Sequence, residues 1–161
     1  MFEAGRKGTR IVPMELAHVA AVARLRHAAF FAGTARTVDE DADDLRKLIT
    51  GDGFEAAFVA EVDGSVAGSC LFIRHELEPA HDLTPWLAGL VVAPAIRRRG
   101  IGAELVRAVE AHAVTRGCDE LHLYTDEAEP FYARLGWSVR ERFQVDGISS
   151  VLMSRRLGDR P

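Results

Sequence analysis

The sequence contains no asparagine, two lysines and two cysteines among its 161 residues. Because N-linked glycans need an asparagine acceptor, the sequence excludes that modification. Cys70 and Cys118 are too few and too far apart to form the disulfide framework typical of small secreted domains. The sparing use of cysteine therefore predicts a protein of the reducing cytoplasm.

Long apolar runs and an excess of basic charge are also missing. No segment approaches about 18 consecutive apolar residues, the length that spans a bilayer, and MFEAGRKGTR at the amino terminus has no apolar core of signal-peptide length. We therefore expect no membrane partner. The formal net charge of -4 and the pI of about 5.9 argue against general nucleic-acid binding, which needs a basic surface. Any basic site must be local.

The composition predicts one globular domain. With 48% hydrophobic residues, the chain can bury a single core, so we expect residues 1–161 to form one domain. Alternating apolar residues predict strands, apolar residues at helical spacing predict helices, and Asp63-Gly64 and Asp146-Gly147 are hairpin signals. The predicted strands are 9–13, 54–62, 65–74, 86–92, 120–124, 137–143 and 148–156, and the predicted helices are 15–31, 39–50, 100–116 and 127–135. This order predicts an α/β or α+β fold, a mixed sheet with helices on its faces.

The stretch VVAPAIRRRGIGAELV, residues 91–106, crowds three arginines against two glycines where a strand leads into a helix. The first N–H groups of a helix have no intrahelical partner and carry partial positive charge, so they can surround a phosphate. Spacing alone leaves two interpretations, an anion site or a helix cap beside solvated arginines. Walker and dinucleotide motifs are excluded, since no Lys-Ser/Thr follows and Leu105 stands where a third glycine belongs.

The spacing of the histidines and cysteines supports no metal site. His18, His27, His112 and His122 show no metal-ligand spacing with either cysteine, so we expect no metal. Cys70 lies on a predicted strand, and we expect it to pack in the core.

Two blocks of the sequence carry a family resemblance. RRRGIG, preceded by LVVAP, resembles the Gln/Arg-x-x-Gly-x-Gly/Ala signature of the GNAT superfamily of acyl-CoA-dependent N-acyltransferases, and EPFYARLGW at 129–137 resembles that family's later Phe-Tyr motif. The resemblance implies a central mixed, mostly antiparallel sheet of about six to seven strands, flanked by about four helices. It also implies transfer of an acetyl group from acetyl-CoA to a primary amine of a small molecule or protein, by direct attack within a ternary complex.

The resemblance also implies how acetyl-CoA is bound. The amides from Arg98 through Ala103 are expected to hold its pyrophosphate, and the main chain of Leu90 and Val92 to pair with its pantetheine arm as a neighbouring strand would. A main-chain N–H at Leu90 or Val91 would stabilise the oxyanion, and Gly89 would mark a bulge. The expected cofactor-binding residues are Leu90, Val91, Val92, Arg97, Arg98, Arg99, Gly100, Ile101, Gly102, Ala103, Asp126 and Phe131.

Proton transfer is assigned by the same resemblance. Tyr132 matches the tyrosine that protonates the departing CoA thiolate in many members, which suits a phenol with a pKa near 10; alternatively, Tyr132 only packs beside the pantetheine arm. The carboxylate that some members carry on the central strand is missing from 86–92. Four loop carboxylates remain as candidate bases, of which we predict the first two: Glu76, Asp82, Asp126 and Glu127.

The missing base keeps a second function open, a noncatalytic acyl-CoA-binding sensor. An RNA-binding domain is disfavoured by the acidic balance and by the lack of aromatic residues among the arginines. We expect acceptor specificity to lie in 31–44 and 75–85, where the acids of 39–44 either attract a cationic amine or form a solvated helix start. An exposed sheet edge would allow a homodimer.

Overall fold

The computed structural model describes residues 8–76 and 82–158 and is organised around one seven-stranded sheet. The strands are β1 (Thr9–Pro13), β2 (Ala56–Val62), β3 (Ser65–Ile73), β4 (Trp86–Val92), β5 (Glu120–Thr125), β6 (Ser138–Val145) and β7 (Ile148–Arg156). Their order across the sheet is β1-β2-β3-β4-β5-β7-β6. Neighbours are antiparallel except for β4 and β5, which are parallel. The expected mixed, mostly antiparallel sheet is confirmed.

Four α-helices lie within the described residues: α1 (Val19–Arg26), α2 (Val38–Ile49), α3 (Ile101–Thr115) and α4 (Glu129–Arg134). The beginning of α2 is fixed by a capping box, because Thr37 Oγ1 accepts from the Glu40 N–H and the Glu40 carboxylate accepts from the Thr37 N–H. In this part of the chain, none of the helices combines the length and apolar character needed to cross a membrane.

The continuous helix predicted over 15–31 is wrong in detail. A 3-10 turn at Leu16–His18 precedes α1, and a π-helical turn at His27–Phe31 follows it. Because a π turn accommodates an extra residue, it changes the direction of the side chains that it carries, Phe30 and Phe31 among them. Periodicity over an alanine-rich stretch did not reveal this change.

Both predicted hairpins are confirmed. Asp63 and Gly64 have φ +51° and +83°, and Asp146 and Gly147 have φ +50° and +81°. Two consecutive residues at positive φ match the right-handed twist of the flanking strands, which is why Asp-Gly is favoured there. The predicted loop 75–85 is described only in part, since 77–81, including His81, lie outside the described residues.

Each face of the sheet packs its own apolar cluster. On one face, α1 and α2 cover a cluster that includes Val22, Leu45 and Val59. On the other, α3 and α4 cover a larger cluster that includes Leu105 and Tyr132. Alternate residues of β2 supply both clusters because neighbouring strand residues point to opposite faces. Cys70 is fully buried in the second cluster, as predicted.

Candidate active site

A cleft opens where β4 and β5 separate. Within the described residues these strands are in register at a single pair, Trp86 and His122. Relative to β3, β4 gains one residue between Ala88 and Val91, and Gly89 in that bulge has φ +64°, a conformation that favours glycine. The bulge predicted at Gly89 is confirmed. Since bulged strands bend, it directs β4 away from β5.

A cavity of ≈ 730 Å³ occupies this opening. Its walls come from β4, β5, α4, the π turn after α1, and the hairpin between β6 and β7. The cavity is large enough for a small-molecule ligand or for the reactive ends of two substrates. Its ionisable side chains are Arg26, Glu76, Tyr124, Asp126, Glu127, Tyr132 and Asp146.

One end of the cleft meets the predicted phosphate turn. α3 begins at Ile101, preceded by Gly100 with φ +80° and Arg98 with φ +70°. No side chain in the described part of the chain caps α3. The first amides of α3 are therefore available to an anion, and the helix dipole favours negative charge at this end.

Gly102 packs the turn against the cleft. A Cβ at Gly102 would lie 3.4 Å from Phe131 Cζ and 3.8 Å from Leu90 Cδ2 and Val92 Cγ2. These are contact distances, so a large side chain at Gly102 would displace β4 or α4. The structure thus brings together the turn, β4 and Phe131, which the sequence predicted to share one ligand.

The three arginines of the turn are exposed. Arg97 also has a local role, because its Nε donates to the Val92 carbonyl at 3.1 Å and ties the turn to the end of β4. Arg97, Arg98 and Arg99 concentrate positive charge on a chain whose formal net charge is -4. Such local charge attracts an anion through Coulomb interactions that salt would weaken.

Tyr132 lies on the cavity wall, where α4 packs against the sheet. Its ring makes edge contacts with Phe131 and Trp137, at centroid distances of 5.0 and 5.9 Å. Burial, and to a lesser extent the nearby Cys70, raises the pKa of Tyr132 above its ordinary value. The phenol is therefore protonated at neutral pH and can act as a hydrogen-bond and proton donor.

The two predicted bases, Glu76 and Asp82, occupy different surroundings. Glu76 is half-buried and lines the cavity. Burial raises its pKa to about 7, and the attraction of Arg26 offsets only part of that rise. A carboxylate with that pKa is suited to accept a proton at neutral pH. Asp82 is exposed and is not among the described residues that line the cavity.

Acidic groups surround the far side of the cavity. Asp126, Glu127 and Asp146 contribute to its wall, and Asp126 and Glu127 are exposed. Burial, and then the charges of Glu76, Asp146 and Asp126, raises the pKa of Tyr124. This part of the site is therefore electrostatically favourable for a cation.

The parted strands, the bulge and the uncapped helix at one end of the cleft agree with the family resemblance. The family model of acetyltransferase (GNAT) proteins matches residues 19–137. The chain belongs to the GNAT acetyltransferase family.

Other GNAT proteins are similar to this chain over part or most of its length. The chain is 31% identical over 94 residues to the aminoglycoside N(6')-acetyltransferase type 1 of Salmonella typhimurium, and the match covers 54% of this chain and 65% of that protein. The phosphinothricin acetyltransferase from Sinorhizobium meliloti, solved with acetyl-CoA, has a TM-score of 0.78 and 16% identity over 94% of this chain and 89% of that one. The structure of yncA from Salmonella typhimurium, solved with acetyl-CoA, has a TM-score of 0.77 and 18% sequence identity, and the match covers 96% of each chain. These two structural matches show the shared fold.

Sequence reasoning missed Arg26 in the GNAT cleft. Its Nε and Nη2 donate to Asp41 Oδ2 and Oδ1 at 2.8 and 3.2 Å, and Arg36 Nη2 also donates to Asp41 Oδ1, at 2.9 Å. Burial opposes ionisation of Asp41, but these hydrogen bonds outweigh it and keep its pKa below the ordinary value. Asp41 is therefore a buried ion-pair partner, which corrects both interpretations of this acid. An arginine in an alanine-rich helix gave no sequence signal of this role.

Phe30 and Phe31 form part of the cavity wall. Their rings meet edge to face at 6.1 Å, and the Arg26 guanidinium carbon lies 5.7 and 5.8 Å from the two ring centroids. Phe31 also faces Arg36 at 5.2 Å. These cation–π contacts help to hold Arg26 in one orientation.

Proposed function

We propose that this protein transfers an acetyl group from acetyl-CoA to a primary amine, with residues 1–161 acting as one domain. The observation that carries the proposal is the cleft itself, which has an uncapped helix terminus at one end and both Glu76 and Tyr132 in its cavity. On this proposal, an anion site at the start of α3 and a proton-transfer site in the cavity are connected by the edge of β4 that parts from β5. This combination suits a long acyl carrier that has phosphates at one end and a reactive thioester at the other.

Acetyl-CoA would lie along β4. Its pyrophosphate would accept hydrogen bonds from the amides of Arg98 through Ala103, with Arg97 to Arg99 supplying charge. Its pantetheine arm would pair with the main chain of Leu90 and Val92, and Phe131 and Asp126 would border it. The packing of Gly102 against Phe131, Leu90 and Val92 supports this path, because it keeps the turn continuous with the strand.

Chemistry would occur beside the bulge. The amine nitrogen attacks the thioester carbonyl carbon, and the C=O electron pair moves onto oxygen, where a main-chain N–H at Leu90 or Val91 donates a hydrogen bond. As the C=O bond re-forms, the C–S bond breaks and its electron pair leaves with sulfur. Glu76 takes one proton from the ammonium before the attack, directly or through water; after the attack the nitrogen loses its second proton to solvent, and Tyr132 Oη gives a proton to the thiolate. Solvent returns Glu76 and Tyr132 to their starting states.

The acceptor we propose is a cationic amine, either a small molecule or an exposed amino group of a protein. The acids of the cavity support this class, since Asp126, Glu127 and Asp146 are available while Arg26 is paired with Asp41. The similarity to an aminoglycoside N(6')-acetyltransferase supports it as well. Before transfer, the ammonium must lose a proton, and Glu76 is the cavity carboxylate best suited to accept it.

The deciding experiment is a calorimetric titration with acetyl-CoA, followed by measurement of free-thiol release across a panel of amines. Binding with amine-dependent thiol release is the expected result. Binding without release on polyamines, aminoglycosides, amino acids or peptides would favour the acyl-CoA sensor. No binding would refute the proposal and reduce the arginine turn to a helix cap.

A homodimer stays a prediction that rests on the sheet edges. β1 and β6 are the outer strands, and Val139 and Ile148 near one edge are exposed. Light scattering over a concentration series tests it, and a constant monomer mass would refute it.

A further inference from the structure

We propose that Arg26 is a catalytic residue whose Nη1 donates a hydrogen bond to the carbonyl oxygen of the acetyl thioester. The proposal rests on the acetyl transfer proposed above and adds a side-chain donor to the main-chain N–H at Leu90 or Val91. It concerns only the developing negative charge on that oxygen, since the electron pairs and protons move as already described.

The first argument is an unsatisfied donor. Arg26 is 8% exposed, and its Nη1 is buried without a hydrogen-bond partner among the described residues. Nε and Nη2 are occupied by Asp41, so the ion pair uses one side of the guanidinium and leaves Nη1 on the other. A buried N–H without an acceptor is costly, and such groups are rare unless something else binds them.

The second argument is position. Arg26 lines the cavity, and a Cβ on Gly89 would lie 2.5 Å from Nη1, so the guanidinium approaches the bulge where a side chain is missing. This is the point at which β4 leaves β5. Acetyl-CoA lying along β4 with its phosphates at α3 would bring its acyl end to the same point. Nη1 therefore lies where the carbonyl oxygen is expected.

The third argument is preorganisation. Asp41 fixes the guanidinium through two hydrogen bonds, and the rings of Phe30 and Phe31 flank it at 5.7 and 5.8 Å. A donor held in place before the reaction stabilises developing charge without further reorganisation. The Asp41 pair reduces the net charge of Arg26 but leaves the Nη1 hydrogens free for an oxygen acceptor.

The test compares Arg26→Met and Arg26→Lys with the control variant Arg46→Met. Arg46 is an exposed arginine of α2 whose Nη1 donates to Asp43 at 2.9 Å, and it is not among the cavity-lining residues, so its loss breaks an arginine–carboxylate pair away from the cavity. Arg26→Met should lower kcat about 10²- to 10³-fold with little change in acetyl-CoA affinity. Arg26→Lys keeps a partner for Asp41 but cannot also reach the bulge, so it should fold and show a similar loss. Arg46→Met should stay within about threefold of the parent.

Two further readouts separate catalysis from a structural role. The infrared carbonyl stretch of bound acetyl-CoA, labelled with carbon-13, should lie at lower frequency in the parent than in Arg26→Lys, because a hydrogen bond weakens the C=O bond. The loss of turnover should also be equal for acceptors with and without a carboxylate. A loss confined to carboxylate-bearing acceptors would show that Nη1 binds the acceptor and would overturn the assignment. Unchanged turnover and an unchanged stretch in Arg26→Lys would overturn it too. A parent protein that does not bind acetyl-CoA would overturn the proposed function and this inference together.

Discussion

The two ends of the cleft are formed by different groups, backbone at one end and side chains at the other. At the α3 end, backbone amides and glycine conformations from one continuous stretch, Arg97 to Ala103, form the proposed anion site. At the cavity end, side chains meet from three distant parts of the sequence, Arg26, Glu76 and Tyr132. A local site can be predicted from a local motif, whereas a site assembled by the fold depends on every element that supports it. Changes at the first end should therefore affect binding, and changes at the second should affect turnover.

The largest effect is expected for Gly102→Trp, which tests the backbone end. The indole would have to occupy the space now filled by Phe131, Leu90 and Val92. We expect acetyl-CoA affinity to fall by at least about 1,000-fold, or ~4.1 kcal/mol, measured by calorimetry. The control is Ala111→Trp, an exposed position on the same helix, which should bind normally. Normal binding by the folded Gly102→Trp protein would refute the assignment of the turn.

Glu76→Gln should have the next largest effect and should leave binding intact. Loss of the base is expected to lower kcat by about 10²- to 10³-fold. Because burial raises the pKa of Glu76 to about 7, kcat/KM of the parent should rise with pH around that value, and the variant should lose this limb. The control is Asp119→Asn, which removes an exposed carboxylate just before β5, at the end of that strand away from the cavity. A greater loss in Asp82→Asn than in Glu76→Gln would reverse the choice between the two predicted bases.

Tyr132→Phe should lower turnover less, by about 10- to 100-fold, because a thiolate is already a good leaving group. The edge contacts with Phe131 and Trp137 do not involve the hydroxyl, so folding and acetyl-CoA affinity should be nearly unchanged. The measurement is steady-state thiol release with calorimetry on the same sample. Equal turnover in the two proteins would leave Tyr132 with a packing role alone.

The sequence predicted local backbone features better than contacts between distant side chains, which is the same difference that separates the two ends of the cleft. Both Asp-Gly hairpins were predictable because glycine at positive φ is a local requirement, and the bulge at Gly89 was expected from the family resemblance. The pairing of Arg26 with Asp41 was not, since these residues are 15 positions apart on two helices whose contact exists only after folding. Glu76 and Asp82 are equivalent loop acids in the sequence, and only burial distinguishes them.

Gly100→Ala should have a smaller effect, with a matched control at the other end of α3. Gly100 and Gly117 both have φ +80°, and an alanine at either position should cost roughly 1–2 kcal/mol of unfolding free energy. Only Gly100→Ala should also weaken acetyl-CoA binding, by several-fold, because it alters the amides of the turn. Denaturant unfolding and calorimetry measure the two effects. Equal acetyl-CoA affinity in both variants would show that the conformation at Gly100 serves only the fold.

The last expected effect is on stability alone, and it connects the cavity end of the cleft to its supporting fold. Because the folded state raises the pKa of Glu76 from 4.5 to about 7, it binds the proton more tightly than the unfolded chain. The resulting stabilisation is complete below the unfolded value and is lost as pH rises through about 7. Glu76→Gln should therefore gain stability relative to the parent between pH 5 and about 8, as measured by urea unfolding at both ends. A constant difference would mean that Glu76 titrates normally. If the gain is observed, the protein loses stability in the same pH range in which its proposed base becomes active, so burial of the carboxylate serves the reaction at the expense of the fold.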